Sequence, residues 1–432
     1  MAMINEGTTA SRHHIYWGCW ATVAAFGTYF CMYAFRKPFT AATFGDPVSA
    51  SVSLKSTFVT AQVLGYMLSK FIGIKVVAEM PPHRRVAMIA ALIGAAELAL
   101  VLFGLAPWPW NVVCMFANGL PLGMVFGLVL GFLEGRRLTE ALAAGLCASF
   151  IVADGAAKSA GAWLLSQGIT EAWMPSLAGA MFLVPLSICL WMLSRLPQPD
   201  RADQTARHER RPMLAADRWI LFQRYALGLS LLVSMYLALT TLRSLRADFA
   251  PELWRSLGSA TPPTIYTTSE LLVAVGVTLA NGATFLVRDH RRAFAVALST
   301  CALGFLLIAV ATILQPRGAI SPFGFMVLVG TGLYLPYVAI HTTVFERLLA
   351  MTREHGNVGY LMYLADSFGY LGYVAVLLGK DFVVPRDRLL PFFAFACWAT
   401  CLLSWGCLAI SWYYFARRAR RPLPQVALDS AT

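Results

Sequence analysis

The sequence predicts an all-α integral membrane protein of twelve transmembrane helices in two six-helix, pseudo-symmetric bundles. Three observations carry that prediction. Hydrophobic residues make up 58% of the 432 positions and charged residues 13%, with a mean hydropathy of +0.64, which leaves too little polar surface for a soluble protein. Cutting the chain where charges, Pro and Gly cluster leaves about twelve apolar stretches of roughly 20 to 27 residues, each able to cross a ~30 Å hydrocarbon core at ~1.5 Å per residue. The chain also repeats itself: Arg84-Arg85 returns as Arg291-Arg292, Gly119-Leu120 as Gly332-Leu333, Glu134 as Glu346 and Asp154 as Asp366, at nearly one offset.

In order, the helices fall near 14–37, 53–78, 85–106, 110–134, 139–166, 173–195, 219–246, 265–287, 291–314, 321–347, 357–379 and 389–416. Each is continuously apolar, whereas barrel strands alternate over roughly nine to eleven residues. The first lacks a small-residue cleavage site and runs into a charged RKPF, so it is expected to be a membrane helix and not a cleaved signal. Residues 1–195 and 218–432 form the two halves, and 196–217 (LPQPDRADQTARHERRPMLAAD), with Pro197, Pro199 and Pro212, forms a cytoplasmic linker.

The net charge of +12 is spread by topology and not gathered into one stripe, so no nucleic-acid partner is expected. Arg84 and Arg85, Arg136 and Arg137, the Arg195 to Arg211 cluster, Arg288 to Arg292, Arg347 with Arg353, and Arg417 to Arg421 all fall on one side. The positive-inside rule makes that side cytoplasmic, with both termini on it. The nine cysteines lie in apolar segments without a CxxC pair and read as small core residues. There is no P-loop, HExxH or GxSxG, so neither catalytic residues, cofactor nor metal site is expected.

Arg36 and Arg243 each close an apolar run at matching points of the repeat. A charge at bilayer depth costs roughly 2.5 to 3.5 kcal/mol and usually faces a water-filled cavity or an ionic partner. Two at symmetric positions suggest one anion site on the pseudo-symmetry axis. Guanidinium offers paired planar donors at any physiological pH, and two of them neutralise one phosphate dianion; a carboxylate, sulfate or sugar acid also fits. Snorkelling to the interface is the competing reading for Arg36, and Arg246, one turn beyond Arg243, competes with it as the ligand.

The remaining polar residues each carry two readings. Lys70 either contacts phosphate or pairs between helices. Asp154 and Lys158, four apart on one helix face, form an internal ion pair, or Lys158 supplies a third cation. Lys37, on a different face from Arg36, reads as an interface anchor. Asp366 pairs across the bundle interface or titrates as a proton carrier, and His341 titrates or packs. Tyr33, Gln62 and Tyr66 are neutral donors to substrate or packing residues. Glu79, Arg84 and Arg85, and their partners Asp289, Arg291 and Arg292, stand in loops suited to gating, while Glu134 and Glu346 join the same charge networks.

Two parallel six-helix repeats describe the major facilitator architecture, with substrate at the midplane between halves. Within it, Tyr66, Ser69, Lys70, Phe71 and Gly73 (Y-x-x-S-K-F-x-x-G), Arg36-Lys37 with Phe39, and Arg243 with Asp248-Phe249-Ala250-Pro251 resemble the second-, first- and seventh-helix motifs of the organophosphate:phosphate antiporters. The resemblance implies that Arg36 and Arg243 hold a substrate phosphate, and Glu270 falls where those antiporters carry an acidic residue. The histidine of their fifth helix is missing here, where Asp154 and Lys158 stand. The fourth helix, NGLPLGMVFGLVLGFLEGRR, also resembles an uncharacterised family of bacterial major-facilitator-like proteins, which implies a bacterial inner membrane. The expected function is a monomeric secondary transporter in the lipid bilayer, exchanging an organophosphate for inorganic phosphate by alternating access. A proton-coupled symporter of another organic anion and a non-transporting sensor of a phosphorylated metabolite are the alternatives.

Overall fold

The structure is a computed structural model that describes residues 2–45, 53–133, 139–197, 215–259, 262–284, 287, 289–352, 358–383 and 388–418. Its helices form twelve spans. The first half contains Ala2–Tyr33, Leu54–Glu79, Pro82–Leu105, a fourth span broken into Trp110–Leu122 and Val125–Leu133, Thr139–Ser166, and a bent sixth of Met174–Met181 and Leu183–Ser194. The second half contains Ala215–Asp248, Ile265–Thr284, His290–Leu314, a tenth span running from Pro322–Ala339 through a π turn at Ile340–Val344 into Phe345–Thr352, then Val358–Val383 and Leu389–Arg418. Most of the expected linker, residues 198–214, lies outside the described residues.

Seven described helices, or eight with the bent sixth span, are long and apolar enough by themselves to cross a bilayer. The second, fifth and eighth spans turn polar residues inward, among them Gln62, Lys70, Asp154, Lys158 and Glu270, all buried. The outer surface carries the opposite chemistry, with Leu102, Val184, Leu279, Phe395 and Leu402 exposed at positions that hydrocarbon would cover.

Local chemistry sets the ends of several spans. The Ser53 hydroxyl accepts from the Ser56 N–H, the Asp289 carboxylate from the Arg292 N–H and the Ser321 hydroxyl from the Gly324 N–H. Each supplies a partner for an orphan donor at a helix start. Pro121 stands inside the fourth span just before its break, and Pro336 stands inside the tenth just before the π turn, since proline removes a helical hydrogen bond and crowds the preceding turn.

Within the second half the ninth and tenth spans touch backbone to backbone. A Cβ on Gly304 would lie 2.6 Å from the Gly332 carbonyl oxygen, and one on Gly332 2.6 Å from the Gly304 oxygen. Between the halves the second span packs on the eleventh and the fifth on the eighth. Gly155 makes the latter approach possible, because a Cβ there would sit 2.9 Å from the Glu270 Cβ. Beside it, Thr267 Oγ1 donates to Ser159 Oγ across the interface at 2.7 Å.

Candidate functional site

Arg36 does not continue the first helix. That helix stops at Tyr33, and Arg36 sits in the following turn, its N–H 3.0 Å from the Tyr33 carbonyl, ahead of a 3-10 turn at Pro38–Ala41. The turn is pinned from below. Gln62 donates to the Arg36 carbonyl at 2.9 Å and to Asn118 Oδ1 at 2.7 Å, while Asn118 donates to the carbonyls of Phe35 and Ala96, both at 3.0 Å. Gln62 therefore holds the backbone of Arg36, a different task from the expected contact with substrate. Arg36 is 4% exposed, which removes the snorkelling reading, and its guanidinium lies 3.7 Å from the Tyr66 ring centroid and 5.9 Å from that of Tyr370.

Arg243 enters from the second half in a like environment. It is 8% exposed, with its guanidinium 4.4 Å from the Tyr337 ring centroid and 5.9 Å from that of Tyr334. Arg246 differs in kind. Its Nη1 stands 2.8 Å from Glu270 Oε1 and its Nη2 donates to the Met326 carbonyl at 2.8 Å. Between Arg243 and Arg246, only Arg246 is held by a carboxylate.

The charge ledger isolates the pair. Among the described residues the buried cations are Arg36, Lys37, Lys55, Lys70, Lys158, Arg243 and Arg246. Lys37 pairs with Asp248 and stands 3.9 Å from Asp154. Lys55 reaches Glu252 at 2.7 Å, Lys70 reaches Asp366 at 2.9 Å, and Lys158 pairs with Asp154. Arg36 and Arg243 alone have no carboxylate partner among the described residues, and the Nε of each lacks any hydrogen-bond acceptor. A buried charge without a partner is costly, so these two positive charges create a strong local preference for an anion.

A central cavity lies between the halves. Tyr29, Tyr33, Tyr66, Tyr337 and Tyr370 supply aromatic walls and hydroxyls, and Lys70, His341 and Asp366 supply charge or titratable nitrogen. Tyr33 and Tyr66, read from the sequence as neutral donors or packing residues, both line this cavity. The space between these side chains suits a group about the size of one water, so the halves are drawn together around it. Asp366 binds across the interface to Lys70, as one of its two readings required, and also accepts from the Tyr236 hydroxyl.

A second ionic layer lies nearer the loop face that carries residues 38–45. Lys37, expected as an interface anchor, is buried and bridges Asp154 of the first half to Asp248 of the second, where Tyr373 Oη donates to Asp248 at 2.9 Å. Lys158 is held by Asp154, four residues before it. On the opposite, basic face, Arg85 donates to the Gly131 carbonyl at 2.6 Å, and Asp289 is a helix cap. Arg84, Arg291 and Arg292 are exposed. The side chains of Glu79 and Glu134 lie outside those described. Sequence reasoning passed over Asn118, Tyr236, Tyr337 and Tyr370. A polar Asn inside NGLPLG was the one available signal, whereas the tyrosines were hidden among many aromatic residues.

Fold and site together define an integral membrane protein of the major facilitator fold. Solved structures similar to it include a D-xylose–proton symporter (13% identity, 92% of this chain and 97% of that chain, TM-score 0.58). A bacterial homologue of the iron transporter ferroportin in an outward-facing state matches at 16% identity over 92% of this chain and 99% of that chain, TM-score 0.61. A nucleoside transporter matches at 13% identity over 94% and 100%, TM-score 0.58. At such identities the likeness concerns the fold. Among curated proteins none matches this sequence. The chain belongs to the family described as "Family of unknown function (DUF5690)", whose model matches residues 38–418.

Proposed function

We propose that this protein is a secondary transporter that carries a small phosphate-bearing anion by alternating access, exchanging an organophosphate for inorganic phosphate. The observation that carries this reading is the pair of buried guanidiniums, Arg36 from one half and Arg243 from the other, left without carboxylate partners while every other buried cation among the described residues has one. A tetrahedral dianion accepts planar paired donors from two sides. Bound between the halves, it offsets both charges and holds the halves together. Without it the two guanidiniums repel across the same gap, which disfavours return of an unloaded carrier and favours exchange over net flux. The similar fold of solved sugar and nucleoside transporters supports the transport part of the reading.

The test is uptake of labelled phosphate into proteoliposomes loaded with inorganic phosphate. Uptake that needs internal phosphate and is competed by phosphate monoesters, but not by monocarboxylates, is the expected result. A folded protein that takes up no phosphate under these conditions, with or without internal phosphate, would sink the proposal.

A further inference from the structure

The cavity contains a histidine that the two-arginine site does not use. His341 lies in the π turn Ile340–Val344 of the tenth span, a local widening of the helix that recurs at functional sites. Its Nδ1 is 2.9 Å from the Tyr337 carbonyl oxygen. A carbonyl only accepts, so Nδ1 carries the proton and Nε2 is the nitrogen left to gain one. That Nε2 stands 3.7 Å from Asp366 Oδ1 and 3.4 Å from the Tyr236 hydroxyl. The other carboxylate oxygen of Asp366, Oδ2, is held by Lys70 at 2.9 Å.

We propose that His341 is a proton-binding site that operates an ion-pair latch between the two halves. Lys70 belongs to the first half, and Asp366 and His341 both belong to the second. When Nε2 takes a proton, no other bond breaks; the new imidazolium becomes a cation for Asp366 from within its own half. The Lys70–Asp366 bridge, which spans the interface, gives way to a His341–Asp366 pair that does not. Protonation therefore loosens the interface on the side of the second and eleventh spans.

A second consequence rests on the anion reading given above. While still paired with Asp366, the ammonium of Lys70 already lies 5.4 Å from the Tyr66 ring centroid, the same ring that Arg36 covers at 3.7 Å. Once released, it becomes a third cation for an anion held by Arg36 and Arg243, so protonation of His341 strengthens anion binding.

The groups facing His341 permit this exchange. The seventh span brings Tyr236, the eleventh brings Asp366 and Tyr370, and its own span brings Tyr337, whose ring lies tilted against the imidazole with centroids 4.4 Å apart. Across the cavity stand Tyr29 and Tyr33 of the first span and Tyr66 and Lys70 of the second. Cys147 of the fifth span lies within electrostatic range of Asp366, and Arg243 sits beyond Tyr337. Asp366 is the single carboxylate among these groups, so the imidazolium and Lys70 compete for one counter-charge.

The test uses full-length protein with native cysteines replaced and spin labels at Leu68→Cys and Phe368→Cys, two lipid-exposed positions on the second and eleventh spans. Inter-label distances are measured by pulsed electron resonance between about pH 5 and pH 8. A longer-distance population should appear on acidification, be lost in His341→Gln, and be present at every pH in Lys70→Met, a variant that needs no proton to open the latch. In proteoliposomes, phosphate exchange should rise by up to about tenfold per pH unit on acidification, as for control by one proton, and this dependence should be absent in His341→Gln. Distances that ignore pH in the unmutated chain, or a pH response that survives in His341→Gln, would overturn the latch. Opening by pH in a protein that exchanges no phosphate would support the latch and reject the phosphate reading alone.

Discussion

Arg36 and Arg243 show why a binding site destabilises the molecule that holds it. Each is a buried guanidinium without a counter-charge, whereas Arg246, one turn from Arg243, is satisfied by Glu270 and the Met326 carbonyl. The two kinds of arginine should answer mutation with opposite signs. Arg36→Met and Arg243→Met remove an uncompensated charge and should raise thermal stability in detergent without phosphate, by of order 1–3 kcal/mol. Arg246→Met strands Glu270 and should cost about 3–5 kcal/mol, most of it recovered in Arg246→Met with Glu270→Leu. Thermal unfolding of the four variants decides this, and destabilisation by all three single substitutions would contradict it. Both arginines were legible in the sequence because a charge closing an apolar run is conspicuous. The choice between Arg243 and Arg246 was not, since one helical turn separates them and only the packing of the eighth span supplies Glu270. Asn118→Ala should weaken phosphate binding without touching the anion, because it frees the turn that carries Arg36; titration calorimetry with phosphate would show the loss.

At the scale of elements, the spans meet through glycines of two different kinds. Gly119 brings the fourth span against the second within one half, and a Cβ there would lie 3.0 Å from the Tyr66 backbone nitrogen. Gly155 brings the fifth span against the eighth across the halves. Gly119→Leu should therefore destabilise the protein by about 1–3 kcal/mol through overpacking. Gly155→Leu should leave the fold intact and wedge the halves apart. Thermal unfolding should fall for the first variant only, and transport should be lost in the second despite normal folding. Element existence was legible because each span is a long apolar run, and eleven of the expected positions agree to within a few residues at one end or both. The first is displaced, ending at Tyr33 where residue 37 was expected, because the apolar run continues through Tyr33-Ala34-Phe35 while the backbone has already turned. The breaks in the fourth and sixth spans were likewise invisible to hydropathy, which is blind to backbone direction.

At the scale of the whole molecule, three ion pairs among the described residues join the halves: Lys37–Asp248, Lys55–Glu252 and Lys70–Asp366. The first two stand near the face that carries residues 38–45, where Lys55 also donates to the Thr40 carbonyl at 2.7 Å and Thr40 is fully buried. Glu252→Gln weakens one of these clasps. A cysteine introduced at the fully buried Thr40 should then become reactive to an impermeant maleimide, and should stay protected when Glu252 is intact. The sequence repeat announced two halves, yet it could not say how one half registers against the other. That register decides that Lys37 meets Asp248 and that Lys70 meets Asp366, partners separated by more than two hundred residues with no local pattern linking them. The central claim is that one anion is shared by Arg36 and Arg243. Its most direct measurement is equilibrium binding of labelled phosphate to the purified protein and to Arg36→Met, Arg243→Met and the double variant. Each hydrogen-bonded charge contributes about 1.5–3 kcal/mol, so each single substitution should weaken binding roughly 10- to 100-fold or more, and the double should fall to background. Unchanged phosphate affinity in either single variant would contradict a shared site.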